Sequence, residues 1–172
     1  MTIITGRRKT LMSGLISRLF DTYFADNMGT LTTPTDVTTV TDIKDAPIGT
    51  TDTILYRGYF LPNTTSTTWQ FRTTSDDASY VWIGTNSTAT DVNLNTSNAV
   101  VNNGGSHSER TRTSGNISLT AGNFYPFAVV AGNNTGPGIV TLEWSTDGAS
   151  WSDDIAQFIF HNPGAPNGFN LE

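Results

Sequence analysis

A succession of short apolar or alternating segments, each cut off by Gly, Pro, Asn or Asp before a helix could mature, governs what this chain can become. Residues 53–61, 68–73, 79–83, 116–120, 124–131, 139–145 and 156–160 all read as β-strands. Composition agrees: 30 Thr, 15 Asn and 16 Gly in 172 residues suit half-exposed strands joined by turns and disfavour helices. The length suits one domain with one core. With turn signals recurring every 8 to 15 residues, the expected fold is all-β, a two-sheet antiparallel β-sandwich. Trp69, Phe71, Tyr80, Trp82, Ile117, Leu119, Phe127, Val129, Val140, Leu142 and Phe158 are its expected core.

Other segments are less uniform. Residues 13–24 place Leu15, Ile16, Leu19, Phe20, Tyr23 and Phe24 at helical spacing, although the same residues also fit an irregular strand with aromatic anchors. Residues 27–53 are Thr-rich with Pro34 and Pro47, and predict a long excursion carrying one short strand near 37–43. The stretch 85–115, dense in Asn, Ser and Gly, predicts an irregular overhang at one end of the sandwich. The expected organisation is an N-terminal arm over 1–12, a sandwich over 13–162 and an extended tail over 163–172.

Between two of the strand-like segments stand Asp76 and Asp77, adjacent carboxylates in the run Ser75-Asp76-Asp77-Ala78-Ser79. At a separation of about 4 Å and an effective dielectric of about 20, two like charges repel by roughly 4 kcal/mol. A hard cation such as Ca²⁺, which takes about six to eight oxygen ligands, would offset that repulsion. A solvated turn pair is the alternative. Asp153-Asp154 reads as a turn before the last strand, and Asp26-Asn27 is a weaker candidate still.

Several function classes are excluded or disfavoured. The chain carries a net charge of −6 and only two lysines, Lys9 and Lys44, so it has no basic footprint for nucleic acid. No run of 18 apolar residues predicts a membrane span. Cysteine is absent, which removes disulfides, thiolate nucleophiles and zinc knuckles. The two histidines, His107 and His161, lack catalytic or metal-ligand spacing and are expected at the surface. A glycosidase needs carboxylates about 5 to 10 Å apart across a cleft, and neighbouring Asp76 and Asp77 do not suit acid and nucleophile roles. The chain is expected not to be an enzyme.

Segments in a particular order carry a resemblance. Gly14-Leu15 precedes the aromatics Phe20, Tyr23 and Phe24; Arg57-Gly58-Tyr59-Phe60-Leu61-Pro62 forms a "GYF.P" strand; Trp69-Gln70-Phe71 precedes the acidic pair. Then come Ile117-Ser118-Leu119-Thr120-Ala121-Gly122-Asn123-Phe124-Tyr125-Pro126 and, one strand later, the loop Gly132-Asn133-Asn134-Thr135-Gly136. This order, over roughly 12–162, resembles the protective-antigen-type lectin domain that includes the GLEYA adhesins and yeast flocculins.

The resemblance implies that the two aspartates are joined by a cis peptide and both coordinate Ca²⁺, with a side-chain oxygen from Asn133, or Asn134 in its place, and carbonyls from 135–137. It implies a glycan as partner, with vicinal sugar hydroxyls completing the ion's shell, Asp76, Asp77, Asn133, Asn134 and Thr135 as binding residues and 85–106 with 133–137 as the lining, and it favours the strand over the helix for 13–24. This metal loop carries no Trp, a departure from the flocculin pattern.

Arg7-Arg8-Lys9 leads into an apolar stretch broken by Ser13, Ser17 and Arg18, which does not read as a secretory signal. The sequons at Asn63, Asn86, Asn95, Asn116 and Asn133 are accordingly expected bare. A lectin-like domain without an export signal is expected on a virion, such as a phage particle, which reaches the outside by assembly. Residues 1–12 are then expected to dock on a capsid or tail protein, and oligomerisation would raise avidity. The alternative is a decoration or cement protein whose sugar site is vestigial.

Overall fold

The computed structural model describes residues 11–84 and 92–164. Thirteen strands are formed among the described residues: β1 (Met12–Ser13), β2 (Leu15–Phe20), β3 (Asp36–Val40), β4 (Ala46–Ile48), β5 (Thr53–Phe60), β6 (Ser66–Asp76), β7 (Ser79–Ile83), β8 (Val101–Asn103), β9 (Arg110–Thr113), β10 (Ile117–Leu119), β11 (Tyr125–Gly132), β12 (Gly138–Ser145) and β13 (Ile159–His161). They make two antiparallel sheets. The first runs β1-β13-β5-β11-β7-β8, with β2 also on β5 and β3 on β2; the second runs β10-β6-β12-β4, with β9 also on β6. The all-β sandwich is the fold observed.

Between the sheets lies an aromatic core. Phe60 packs edge-on against Phe71 and Trp69, with centroids 5.2 and 5.3 Å away, and stacks on Phe158 at 5.3 Å. All eleven expected core residues are buried. Two of them are not between the sheets: Tyr80 and Trp82 belong to a second cluster with Phe20, Phe24, Leu55, Ala128 and Val130, on the outer face of the first sheet. Tyr23, Met28, Leu31, Val92, Leu94 and Ala99 roof that cluster. Both faces of β7 are therefore covered, and all five of its residues are buried.

The strand that the resemblance favours over 13–24 is formed as β2, and the helical spacing is overridden. β2 is hydrogen-bonded on both sides, to β3 and to β5, which satisfies its backbone as a helix would and buries Leu15 and Phe20 as well. Gly14, at φ 98°, makes the bend that sends β1 to β13 and β2 to β5.

Elsewhere the strand bounds move. β6 extends to Asp76 where the pattern predicted an end at 73, and β13 is only Ile159–His161 because 156–158 turn. The excursion 27–53 carries two strands, β3 and β4, where one was expected. The stretch 85–115 contains β8 and β9, so it is not uniformly irregular; both are short edge strands with too few residues to show alternation.

Met12 pairs with His161, so the first sheet begins inside the expected arm. Residues 1–10 of that arm and 165–172 of the expected tail lie outside the described residues. His161 is 4% exposed and its Nδ1 lies 3.1 Å from the Gly14 carbonyl, which corrects the surface placement. No helix among the described residues is long and apolar enough to cross a membrane.

Candidate functional site

Asp76 closes β6 and Asp77 begins the short link to β7, so the connection that crosses between the two sheets carries both aspartates at one end of the sandwich. Their peptide bond is cis. Asp76 is half-buried, and Asp77 is 4% exposed. Beneath them runs a hydroxyl network: Ser75 Oγ donates to the Asp77 carbonyl at 2.7 Å and meets Ser79 Oγ at 2.7 Å, while Asn103 Nδ2 donates to Ser75 Oγ at 3.0 Å.

Three distant groups converge on the Asp77 carboxylate. Ser106 Oγ and the His107 N–H donate to Oδ1 at 2.9 and 2.6 Å, and the Asn134 N–H donates to Oδ2 at 2.8 Å. The His107 ring is half-buried with both nitrogens against carbonyls, Ser108 at 2.7 Å and Asn103 at 3.1 Å, so this histidine is built into the loop where a surface position was expected.

Asn133 is fully buried. Its N–H donates to the Asp52 carbonyl at 2.9 Å, and its side-chain Nδ2 donates to the Gly49 carbonyl at 3.1 Å and the Gly136 carbonyl at 2.6 Å. Two carbonyls facing Nδ2 fix which way round the amide sits. Its Oδ1 is then a buried acceptor with no hydrogen-bond partner. Such an atom costs about 1–3 kcal/mol unless something else satisfies it. Gly138 makes room for the arrangement, since a Cβ there would come within 2.6 Å of Asn133 Cβ and 2.7 Å of the Asp76 carbonyl.

The structure thus brings Asp76, Asp77, Asn133 and Asn134 together. Asn134 takes part through its backbone N–H. Thr135 is exposed at the tip of the loop, and the neighbouring Gly136 carbonyl is engaged by Asn133 and by Thr50 Oγ1 at 2.8 Å. Asp153 lies elsewhere, 2.7 Å from Lys44 Nζ. No group of three or more His, Cys, Asp or Glu side chains gathers among the described residues. The donor set at this end is instead two carboxylates and an amide oxygen, all hard oxygen, which suits Ca²⁺ better than a softer metal. On the strength of the unsatisfied Asn133 Oδ1 and this chemistry, the residues fit a calcium ion.

Ser106 falls in the stretch 85–106 that the resemblance implied as lining, while His107, Gly138 and the 49–52 loop were not anticipated as parts of the site. Only the Gly104-Gly105 pair marked a turn there. Asp26, weighed as a weak candidate, has a place as well: its carboxylate accepts from the Gly105 N–H at 3.0 and 3.2 Å and from the Tyr80 hydroxyl, which occupies space that a side chain on Gly104 would fill. Burial, Asp26 and Asp77 together push the Tyr23 hydroxyl up to about 12, so this end of the molecule carries a negative field.

The fold recurs in solved structures. The A domain of epithelial adhesin 6 from Candida glabrata, in complex with Galβ1-3GlcNAc, is similar over 93% of this chain and 92% of that one, with a TM-score of 0.69 at 14% identity. The PA14 sugar-binding domain from an RTX adhesin is similar over 86% of this chain and 98% of that one, with a TM-score of 0.65 at 13% identity. An anti-sigma factor domain-containing protein from Clostridium clariflavum has a TM-score of 0.65 at 20% identity; this chain, matched over 86% of its length, spans 47% of that one. No curated protein matches the sequence. The family model of the GLEYA domain matches residues 53–146, more than half of the chain and the whole run from β5 through the acidic pair to the end of β12, and the chain belongs to that family.

Proposed function

We propose that this chain is a calcium-dependent carbohydrate-binding module of the adhesin type, with its site at Asp76, Asp77 and Asn133. The observation that carries the reading is the buried Asn133 Oδ1, left without a hydrogen bond in a tightly packed loop that lies by the Asp76 carbonyl and whose next residue, Asn134, holds the Asp77 carboxylate. Sugar-bound adhesin domains of the same fold support it.

Asp76 and Asp77 would hold the ion through carboxylate oxygens and Asn133 through Oδ1. When bound, Ca²⁺ supplies a hard positive centre whose remaining positions accept hydroxyl oxygens of a sugar. The rest is done by the chain. Ser106, His107 and Asn134 hold the Asp77 carboxylate in one orientation, and the Gly49 and Gly136 carbonyls hold the Asn133 amide, so little ordering is left to occur on binding. On the larger scale the reading has the module displayed on a virion or another assembled surface through residues 1–12, in several copies that raise avidity.

Titration calorimetry with calcium and a glycan array with and without chelator test the site. Calcium should give heat, and array binding should vanish with chelator and in Asp77→Ala while far-UV circular dichroism stays native. Binding indifferent to both treatments would sink the reading. Deleting residues 1–12 should release the protein from its assembly with the sandwich still folded; normal incorporation of the truncated chain refutes the arm and favours neither role of the site.

A further inference from the structure

Segments 26–29 and 93–96 enclose a cleft of about 340 Å³, in the roof over the outer apolar cluster. Its two walls use the same local device. Asn27 caps the 3-10 turn Met28–Thr30, its Oδ1 accepting from the Gly29 N–H at 3.0 Å. Asn95 caps the 3-10 turn Thr96–Asn98, its Oδ1 accepting from the Ser97 N–H at 3.0 Å and Ser97 Oγ at 2.8 Å. With each Oδ1 committed, each amide keeps its Nδ2 hydrogens for something else. Asn93 is exposed, and its side chain makes no hydrogen bond among the described residues. Met28 and Leu94, packed on the outer cluster, add apolar surface to the same cleft.

The cleft adjoins the site already described. Asp26 lines it, and the same carboxylate holds the Gly105 N–H. Ser106 and His107, the next two residues, hold Asp77. No Lys, Arg or His lines the cleft, and its one charged residue is an aspartate. Amide donors above apolar carbon, at a volume in the range of small-ligand pockets, match a sugar ring with acceptor hydroxyls and a C–H face. The Asp26 charge disfavours sialic, uronic and sulfated residues.

From this geometry we infer that the cleft is a second sugar subsite, and that the module's ligand is an uncharged di- or oligosaccharide whose next residue lies along Asp26 between Asn27, Asn93 and Asn95. The inference rests on the proposed glycan reading.

Two variants separate it from that reading. The double variant Asn27→Asp with Asn95→Asp keeps both caps, since Asp caps as well as Asn, and deletes the donors; Asn93→Trp fills the cleft from an exposed position. The probes are an array of neutral mono-, di- and trisaccharides with sialylated and sulfated counterparts, followed by calorimetry on the best neutral disaccharide and its terminal monosaccharide. Wild type should prefer the disaccharide by about tenfold or more, the contribution of one or two hydrogen bonds and some apolar contact. Both variants should reduce that preference to near unity while monosaccharide affinity and the calcium heat stay as in wild type. In wild type the side-chain amide resonances of Asn27, Asn93 and Asn95 should shift with the disaccharide and not with the monosaccharide. Retained disaccharide preference in both variants, or a wild-type preference for acidic glycans, overturns the subsite alone. A wild type that binds no sugar at all while folded and calcium-loaded overturns the glycan reading and the subsite with it.

Discussion

Asp77 and Asp147 are held by the same kinds of donor at two places in the sandwich, and they differ in where those donors come from. Asp147 sits exposed in the hairpin after β12, where its Oδ1 accepts from the Ala149 N–H at 2.8 Å, the Ser150 N–H at 2.7 Å and Ser145 Oγ at 2.9 Å, all within three residues. Asp77 is buried and draws its three donors from residues 29, 30 and 57 positions away. A local arrangement of this kind closes a turn. The distant one ties two loops to a single carboxylate, and a site whose parts come from separate loops is the kind that can be shaped for a ligand.

The comparison predicts a ranked set of losses. Asp77→Ala should cost the most, about 3 kcal/mol of stability, because it removes a buried carboxylate that three part-buried donors on two loops share; urea unfolding measures it, and a loss under about 1 kcal/mol would mean those loops do not depend on the carboxylate. Ser75→Ala should follow at about 2 kcal/mol, since the fully buried hydroxyl serves the Asp77 carbonyl, Ser79 and Asn103 together.

Asn133→Ala sharpens the comparison through its dependence on calcium. Wild type should melt higher as calcium rises, by the linkage between folding and binding. The variant should lose most of that increment, while in chelator its melting temperature falls less, because removing the side chain also removes the unsatisfied Oδ1. An equal calcium response in both proteins would detach Asn133 from the ion.

Asp147 should show the smallest effect, and one dependent on pH. The Ser150 N–H first, then the Ala149 N–H and Ser145 Oγ, hold its carboxyl well below the usual carboxylate range. A lowered folded-state value means that its contribution is present above the unfolded value near 3.8 and is lost as pH falls through the folded one. Asp147→Ala should therefore lower the melting temperature slightly at neutral pH, with the gap from wild type closing in strong acid. A gap that widens in acid contradicts this assignment.

The same contrast explains what could be read in advance. The Asp76–Asp77 pair and the Asn133 loop were legible because each is a compact run at a turn between recognisable strands, and the family order placed them on the same end. The stretch 85–106 was expected as lining, but the specific hold of Ser106 and His107 on Asp77 was not, since nothing local distinguishes their loop from other Ser- and Asn-rich stretches; β8 brings that loop beside β7. Tyr80 and Trp82 were legible as buried but not as to face, because a strand covered on both sides loses its alternation. Residues 15–20 carried a spacing that suited a helix, and two neighbouring strands decided otherwise.

By itself, then, the sequence determined the strand-and-turn alphabet, the two-sheet class, the position of the acidic link and self-contained turns such as the one around Asp147. Those depend on contacts within a few residues, where propensity and side-chain capping act directly. Only the tertiary structure decided which loops meet at Asp77, that Asn133 is buried with one oxygen unsatisfied, and that the 26–29 and 93–96 turns face each other across a cleft. Such contacts join residues far apart in the chain, and it is the pairing of whole strands that brings them within reach.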